Sequence, residues 1–456
     1  MKSLIQKKSR SLRLALGSVK YALQSVDPST LVRSRVKLRN EQLLLYDIRQ
    51  HQIIIDLKPI DSIYLIGAGK GTARMASAVS EILDDRIAGG AITIPYGIDC
   101  HINGISITHS SHPVPDAEGV RGTKKMIEIL RRTTPFDLVI VLISGGASSL
   151  MPHPSKNISL TEKQNVSNSL ILSGASIEEV NTVRKHLSRV KGGQLTRYKN
   201  KECLLVSLII SDVINDKLDV IGSGPTYPDS SSYHDAAKVL KKYGLWSRRY
   251  SEARAAISEG IKRRRRETPK PGDTIFQKVY NVLIGNNSVA CTASARFLES
   301  RGFETKKLGS SFGGEARLFG RKLANLAKQV QSEKSDLAYI LGGETVVKVN
   351  KEKYSGTGGR NQEAVLSAIM DLQNMRIDKD TTILSIGTDG IDGNSDAAGA
   401  FWNSHMTPNP KERHLNPSTF LKTHNSYEFF KQLNSLIVTG RTGTNVNDIS
   451  IVCKVD

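Results

Sequence analysis

Largely apolar runs of about seven residues alternate with amphipathic stretches along most of the chain. The clearest runs lie in SIYLIGAGKG (62–71), DLVIVLISGG (137–146), CLLVSLIISDV (203–213), VYNVLIGNNS (279–288), LAYILGGETV (337–346) and TTILSIGTDG (381–390). Strands without polar alternation are covered on both faces, as parallel sheets are. Between them TARMASAVSEIL (72–83), the long stretch 161–193 and EARLFGRKLANLAKQV (315–330) carry helical periodicity. This alternation predicts an α/β protein built on parallel sheets. Ser176 and Glu179 predict a capping box within the long helical stretch. The first 28 residues are basic, amphipathic and poor in acids. They predict a surface helix ending before Asp27-Pro28; an organellar transit peptide is the alternative.

A chain of 456 residues exceeds one ordinary core. The segment from Arg263 to Asp273 combines a charge run with PKPGD, so the expected domains are 1–266 and 267–456. Two α/β domains facing each other would gather their glycine-rich strand ends around a common cleft. No run of 18 apolar residues occurs, which argues against a membrane helix. The four cysteines (Cys100, Cys203, Cys291, Cys453) have no CxxC spacing. They read as core thiols of a cytoplasmic protein rather than zinc or redox ligands. A net charge of +20 draws in anions, nucleotides and organic acids included. The Lys262–Arg266 run lacks a nucleic-acid module and aromatics are only 5%, so it reads as a solvated helix end.

The chemistry concentrates where strands meet glycine turns. In GTGGRNQEA (356–364), Arg360, Asn361 and Gln362 follow glycines at the start of a helix, a place where backbone N–H groups and a guanidinium hold an anion. Asp389, Asp392 and Asp396 follow the strand TTILSIG on a glycine-rich turn; such carboxylates suit Mg²⁺. Together they suggest phosphoryl transfer. The alternative for each turn is conformational, since Asp, Asn and Gly simply tolerate tight turns. GAGKGT (67–72) fails as a Walker A loop, with Tyr64 at its first glycine position and Gly71 after the lysine. It also fails as a dinucleotide fingerprint, because Thr72 replaces the last glycine. Lys70 nonetheless stands at a strand-to-helix turn suited to phosphate, unless it is an ordinary surface lysine. No G-x-S-x-G elbow is present.

Taken in order, the motifs resemble those of the glycerate 2-kinase family with its C-terminal MOFRL domain. They are GAGKGTARMA (67–76), HPVPDAEG (112–119), SGGASSL (144–150), NTVRKHLSRVKGGQL (181–195) and SDVINDKLDVIGSGPTYPD (211–229). ETPKPGD (267–273), GGEAR (313–317), GGETVVKV (342–349), GTGGRNQEA, GTDGIDGNSDAAGA (387–400) and GRTGTNVND (440–448) continue the series. The chain departs from the family at Asn215, where glycine is usual, at Gly222, where alanine is common, and at Arg441, where proline is common.

The resemblance implies two α/β domains, the first Rossmann-like, with the active site in the cleft between them. It implies ATP-dependent phosphorylation of D-glycerate on the 2-hydroxyl, with Mg²⁺, giving 2-phosphoglycerate and ADP. Lys70 and Arg360 match residues associated with activity in the family. Asp212 is the candidate for orienting or deprotonating the hydroxyl, or else a cap or turn residue. Ser144, Gly145, Gly146 and Asn361 are candidates for substrate or phosphate; Gly67, Gly69, Asn286, Asn287 and Asn445 for nucleotide; Asp389 and Asp392 for metal. Asp448 is a weaker candidate on the turn that carries Asn445, and Glu344 either supports the site or pairs with a basic neighbour. Expected partners are glycerate and ATP, with no specific nucleic acid and no membrane; a homo-oligomer is left open. The competing classes are a hydroxypyruvate reductase-type oxidoreductase and a basic nucleic-acid-binding module.

Overall fold

The computed structural model describes residues 9–263, 267–349, 356–373, 375–406 and 409–456. They form two compact units: Pro28–Gly285, and Asn286–Asp456 joined by the leading segment through Asp27. That segment carries α1 (Arg10–Ser25), whose first turn is capped by the Ser9 side chain accepting from the Leu12 N–H. Its buried face is Leu12, Ala15, Val19 and Ala22, the amphipathic stripe expected from the sequence.

The first unit begins with α2 (Pro28–Arg35) and an antiparallel sheet of β1 (Val36–Arg39), β2 (Gln42–Tyr46) and β3 (Gln52–Asp56). Then come β4 (Ser62–Ala68), α3 (Thr72–Leu83), β5 (Ile87–Pro95), β6 (Ile105–Ser110), α4 (Ala117–Arg132) and β7 (Asp137–Ile143). The short α5 (Ala147–Leu150), α6 (Leu160–Leu172), α7 (Ile177–His186), β8 (Leu204–Ile210), α8 (Tyr233–Lys242), α9 (Ser251–Lys262) and β9 (Val279–Gly285) complete it. The strands β4 to β9 form one sheet in the order β6-β5-β4-β7-β8-β9, every pair parallel. Counted from its first strand this is 3-2-1-4-5-6, the order of the Rossmann-type doubly wound sheet. Every residue of β7 is buried, the apolar residues 138–143 as their run requires, and Asp137 at its start with a carboxylate oxygen accepting from the Thr134 N–H. The expected capping box forms, with Ser176 and Glu179 bonding each other's backbone at the start of α7.

The second unit continues with α10 (Asn287–Glu299), β10 (Glu304–Phe312), α11 (Ala316–Gln329), β11 (Leu337–Gly343), α12 (Arg360–Leu372), β12 (Asp380–Gly387) and β13 (Gly399–Asn403). It ends with α13 (Pro417–Lys422), α14 (Ser426–Gln432), β14 (Leu436–Ile437) and β15 (Asp448–Val455). Its sheet has the order β10-β11-β15-β12-β13-β14 and is mixed, not parallel as expected. The wholly buried β15 inserts antiparallel to both β11 and β12.

The boundary also differs from the expected one at 266/267. ETPKPGD is stitched into the first unit: the Thr268 hydroxyl donates to Asp229 at 3.0 Å and Glu267 accepts from His186 at 2.9 Å. The following β9 then pairs with β8, so the first unit runs on to Gly285. At the other end α1 packs on α10, and the Ser9 hydroxyl and Ser11 N–H both donate to Asp380. The basic run leaves α9 at Lys262; Arg263 is exposed, and Arg264 to Arg266 lie outside the described residues.

Candidate active site

In a doubly wound sheet, ligands bind outside the carboxyl ends of the strands where the strand order reverses. Here that point lies between β4 and β7. The chain leaves β4 through Gly69, Lys70 and Gly71 into α3, and it leaves β7 through Ser144, Gly145 and Gly146 into α5. The two turns are laced together: the Lys70 N–H donates to the Gly145 carbonyl at 2.8 Å, and the Gly71 N–H to the Ser144 hydroxyl at 3.0 Å. Gly69 has φ 145°, and a Cβ there would lie 2.1 Å from the Ser144 hydroxyl oxygen. Only glycine permits this contact. The half-buried Lys70 side chain passes beside Gly146, where a Cβ would stand 3.5 Å from Lys70 Cγ and 2.9 Å from His112 Cδ2. Asp212 is half-buried just beyond the end of β8, the neighbour of β7. Lys70, Ser144–Gly146 and Asp212 thus occupy the same edge of three successive strands. Gly67 is inside β4, and its missing side chain leaves room for the Leu142 backbone, 2.3 Å from a Cβ. Asn215 takes φ 64°, which keeps the turn that glycine usually makes in the family.

In the second unit the carboxyl ends of β11 and β12 flank the start of the antiparallel β15, placing Asp448 between Gly343 and Gly387. Arg360, the first residue of α12, closes on Asp448 with a two-pronged grip, Nε at 2.6 Å and Nη2 at 2.9 Å. Its Nη1 donates to Glu344 at 2.8 Å. The bidentate fork read from the sequence as an anion clamp is therefore engaged by an internal carboxylate. Burial works against the Arg360 charge, but Asp448 and Glu344 hold its pKa above the ordinary value. Burial pushes the Asp448 carboxyl up to about 6, against the pull of the guanidinium.

Asp392 departs further from expectation. One carboxylate oxygen accepts from the Asn361 N–H at 3.0 Å, and the other from the Gln362 N–H at 2.8 Å. The anion at the N-terminus of α12 is the protein's own carboxylate. Burial raises the Asp392 pKa, while those two N–H bonds oppose the shift. Gly359 is required beside it, because a Cβ would lie 2.3 Å from a carboxylate oxygen. Asp392 is 1% exposed and does not fit a metal ligand, since both of its oxygens face the helix. Asp389 is half-buried with one oxygen accepting from the Ile391 N–H, and Asp396 is exposed. Among the described residues no group of three or more carboxylates, imidazoles or thiols is placed to hold a metal ion.

Asn361 is also internal: its carbonyl accepts from the Ser385 hydroxyl at 2.5 Å and its amide reaches Asp392 at 3.3 Å. The Asn286 side chain caps α10 by accepting from the Val289 N–H, and the Asn287 amide donates to the carbonyls of Val446 and Asp448. Asn287 thereby fixes the start of β15 rather than presenting its amide outward. Asn445 is half-buried and accepts from the Asn447 N–H, while Arg441 is exposed. Beside Arg360 opens a cleft of about 360 Å³ lined by Val346, Val347, Gly358, Gly359, Asn394 and His424.

Sequence reading assigned no role to His112, which stands against Gly146, or to Lys191, whose ammonium donates to the Ser148 carbonyl at 2.7 Å and hydroxyl at 2.9 Å. Both lie in motifs of the family resemblance, which was the available signal.

A domain of unknown function, DUF4147, matches residues 14–258, and the MOFRL family matches residues 337–448. A D-glycerate 2-kinase from Thermotoga maritima is 37% identical, over 96% of this chain and 97% of its own length. A putative hydroxypyruvate reductase from Agrobacterium vitis is also 37% identical, over 87% of this chain and 88% of its own. The crystal structure of glycerate kinase from Thermotoga maritima superposes with a TM-score of 0.82 at 36% identity, covering 97% of this chain and 99% of that one. The DUF4147 match covers most of the first unit and part of α1, the MOFRL match lies within the second, and the likeness runs nearly end to end: the chain belongs to the glycerate 2-kinase family.

Proposed function

We propose that the protein transfers the γ-phosphoryl group of ATP to the 2-hydroxyl of D-glycerate, giving 2-phosphoglycerate and ADP. The observation that carries this reading is the place of Lys70, on the loop where β4 and β7 diverge, in a chain that matches a D-glycerate 2-kinase nearly end to end. In the transfer a bond forms from the glycerate 2-oxygen to the γ-phosphorus, the bond to ADP breaks, and the hydroxyl proton must leave. Asp212 is the proposed acceptor of that proton, or the group that orients it. Lys70 and the N–H groups of Gly145 and Gly146 are proposed to supply positive potential for the transferring group or the glycerate carboxylate, the Ser144 N–H being held by the Ala68 carbonyl. Gly67 and Gly69 shape the Lys70 loop through their lack of side chains, while Asn286 and Asn445 are retained as proposed nucleotide contacts.

Arg360 is proposed to meet an incoming anion by releasing Glu344, which is 40% exposed, while keeping Asp448, which is 8% exposed. Mg²⁺ is the proposed companion of ATP. Asp392 is not proposed as its ligand, and no step is assigned to the ion. No helix among the described residues is long and apolar enough to cross a membrane, and the four cysteines are free thiols. The cytoplasm is the proposed compartment.

ADP release dependent on both ATP and D-glycerate tests this reading. Oxidation of NADH with hydroxypyruvate, and no ADP release, would place the protein with the reductase instead.

A further inference from the structure

Behind the Ser144–Gly146 turn, α5, α6, α7, the loop after α7 and residues 113–115 line a pocket of about 50 Å³. Its polar lining includes Lys163, Arg184 and Lys191 together with serine, glutamine and asparagine side chains, and no carboxylate among the described residues lines it. Lys163 is 6% exposed and its ammonium has no hydrogen-bond partner among the described residues. Lys191 is 3% exposed and holds Ser148 with two bonds, leaving one of its three donors. Arg184 makes a single long contact, Nε to the Ser167 hydroxyl at 3.4 Å.

Three buried or half-buried cations around one small space, without a compensating acid, form a costly arrangement. Burial draws the Lys163 pKa down to about 7, with Arg184 adding to the shift, and burial likewise draws Lys191 well below its ordinary value. A bound anion removes that cost, because it supplies the missing charge and the missing acceptor. A volume of about 50 Å³ suits a carboxylate or a single phosphoryl group and excludes a nucleoside.

We propose that Lys163, Arg184 and Lys191 form a binding site for a small oxyanion group, the carboxylate of the acceptor or one phosphoryl group of the donor or product. The site stands on its own lining; its assignment to glycerate or ATP rests on the kinase reading above. Ser148 and Ser149 belong to the four-residue helix that begins directly after Gly146, so the cavity wall continues from the turn beside Lys70.

The test uses the full chain and two variants, Lys163→Met and Arg184→Gln. Thermal shift with inorganic phosphate and with D-glycerate as separate probes gives a readout independent of catalysis. Saturable stabilisation of the wild type by at least one probe is expected, and its loss in both variants. Lys163→Met should fold without ligand at an unchanged or higher Tm, since it removes an unpartnered buried ammonium; should it fail to fold, Arg184→Gln is read in the same way. In steady state, a glycerate KM raised at least about tenfold with the ATP KM unchanged identifies the carboxylate. The converse pattern identifies a phosphoryl group. If the wild type turns over no glycerate but the variants still lose the anion-induced shift, the site stands and the kinase reading falls. Variants that keep both the wild-type thermal response and both KM values would overturn the proposal.

Discussion

Asp392→Asn separates a helix anchor from a metal ligand at one atom. The wild-type carboxylate accepts the Asn361 and Gln362 N–H groups, one on each oxygen, at 3.0 and 2.8 Å. An asparagine of the same shape can accept only one of them and turns its own amide donor toward the other. One buried backbone N–H is then unpaired, a cost of about 1–3 kcal/mol. Loss of negative charge at the N-terminus of α12 adds about 0.3–1 kcal/mol. Relief of carboxylate burial, which raises the Asp392 pKa, offsets part of this. The balance is a loss of about 2–3 kcal/mol, or roughly 4–12 °C in Tm for a unit of this size. Thermal and urea unfolding followed by circular dichroism would measure it. The Mg²⁺ dependence of activity should keep its midpoint, because the ion has lost no ligand. A variant of unchanged Tm whose Mg²⁺ requirement rises steeply would refute the anchoring role.

Lys70→Ala should lower kcat by at least about a hundredfold, the order expected for removing a preorganised charge, with Tm nearly unchanged. A near-normal kcat would make Lys70 an ordinary loop residue. Arg360→Lys keeps the charge but cannot reproduce the grip on Asp448 and the bond to Glu344 together. It should lose most activity, affect glycerate turnover more than ATP binding, and cost on the order of 2 kcal/mol of stability, measured by urea unfolding beside the kinetics. Acid should weaken the His186–Glu267 contact in the first unit. Although burial works against the charge, the bonds from His186 and from the Tyr233 and Thr268 N–H groups hold the Glu267 carboxyl down at about 2, from an ordinary value of 4.5. Its stabilisation is therefore complete above about pH 4.5 and lost as pH falls through about 2. After allowance for partial exposure, Glu267→Gln should cost roughly 2 kcal/mol at pH 7 and little at pH 2, as read by urea unfolding.

The apolar runs placed the strands well, because a parallel strand covered on both faces, such as β7, is apolar over most of its length, here all six residues after Asp137. The local capping box at Ser176 was equally legible, since it depends on two residues of one turn. Long-range pairing was not. Nothing local in DISIVCKV says that β15 inserts between β11 and β12 and makes that sheet mixed. Nor does PKPGD disclose that Thr268 is anchored on Asp229, which keeps the expected linker inside the first unit. At the candidate site, Lys70 and the Ser144 turn were readable because strand ends and glycine turns mark the edge of a doubly wound sheet. The internal pairing of Asp392 and Asp448 was not legible for one reason. Sequence shows that a carboxylate is near a glycine turn, but not whether its oxygens already face the protein's own N–H groups and Arg360. The cluster of Lys163, Arg184 and Lys191 depends on Lys163 meeting two residues of the 181–195 motif at one cavity, and that motif alone does not disclose it.

The central claim is phosphoryl transfer to the 2-hydroxyl, and phosphorus NMR of the product from purified protein, ATP, Mg²⁺ and D-glycerate tests it most directly. The account predicts ADP and 2-phosphoglycerate in equal amounts, with no product when D-glycerate is omitted. 3-Phosphoglycerate as the first product, or inorganic phosphate released at the same rate without glycerate, would contradict it.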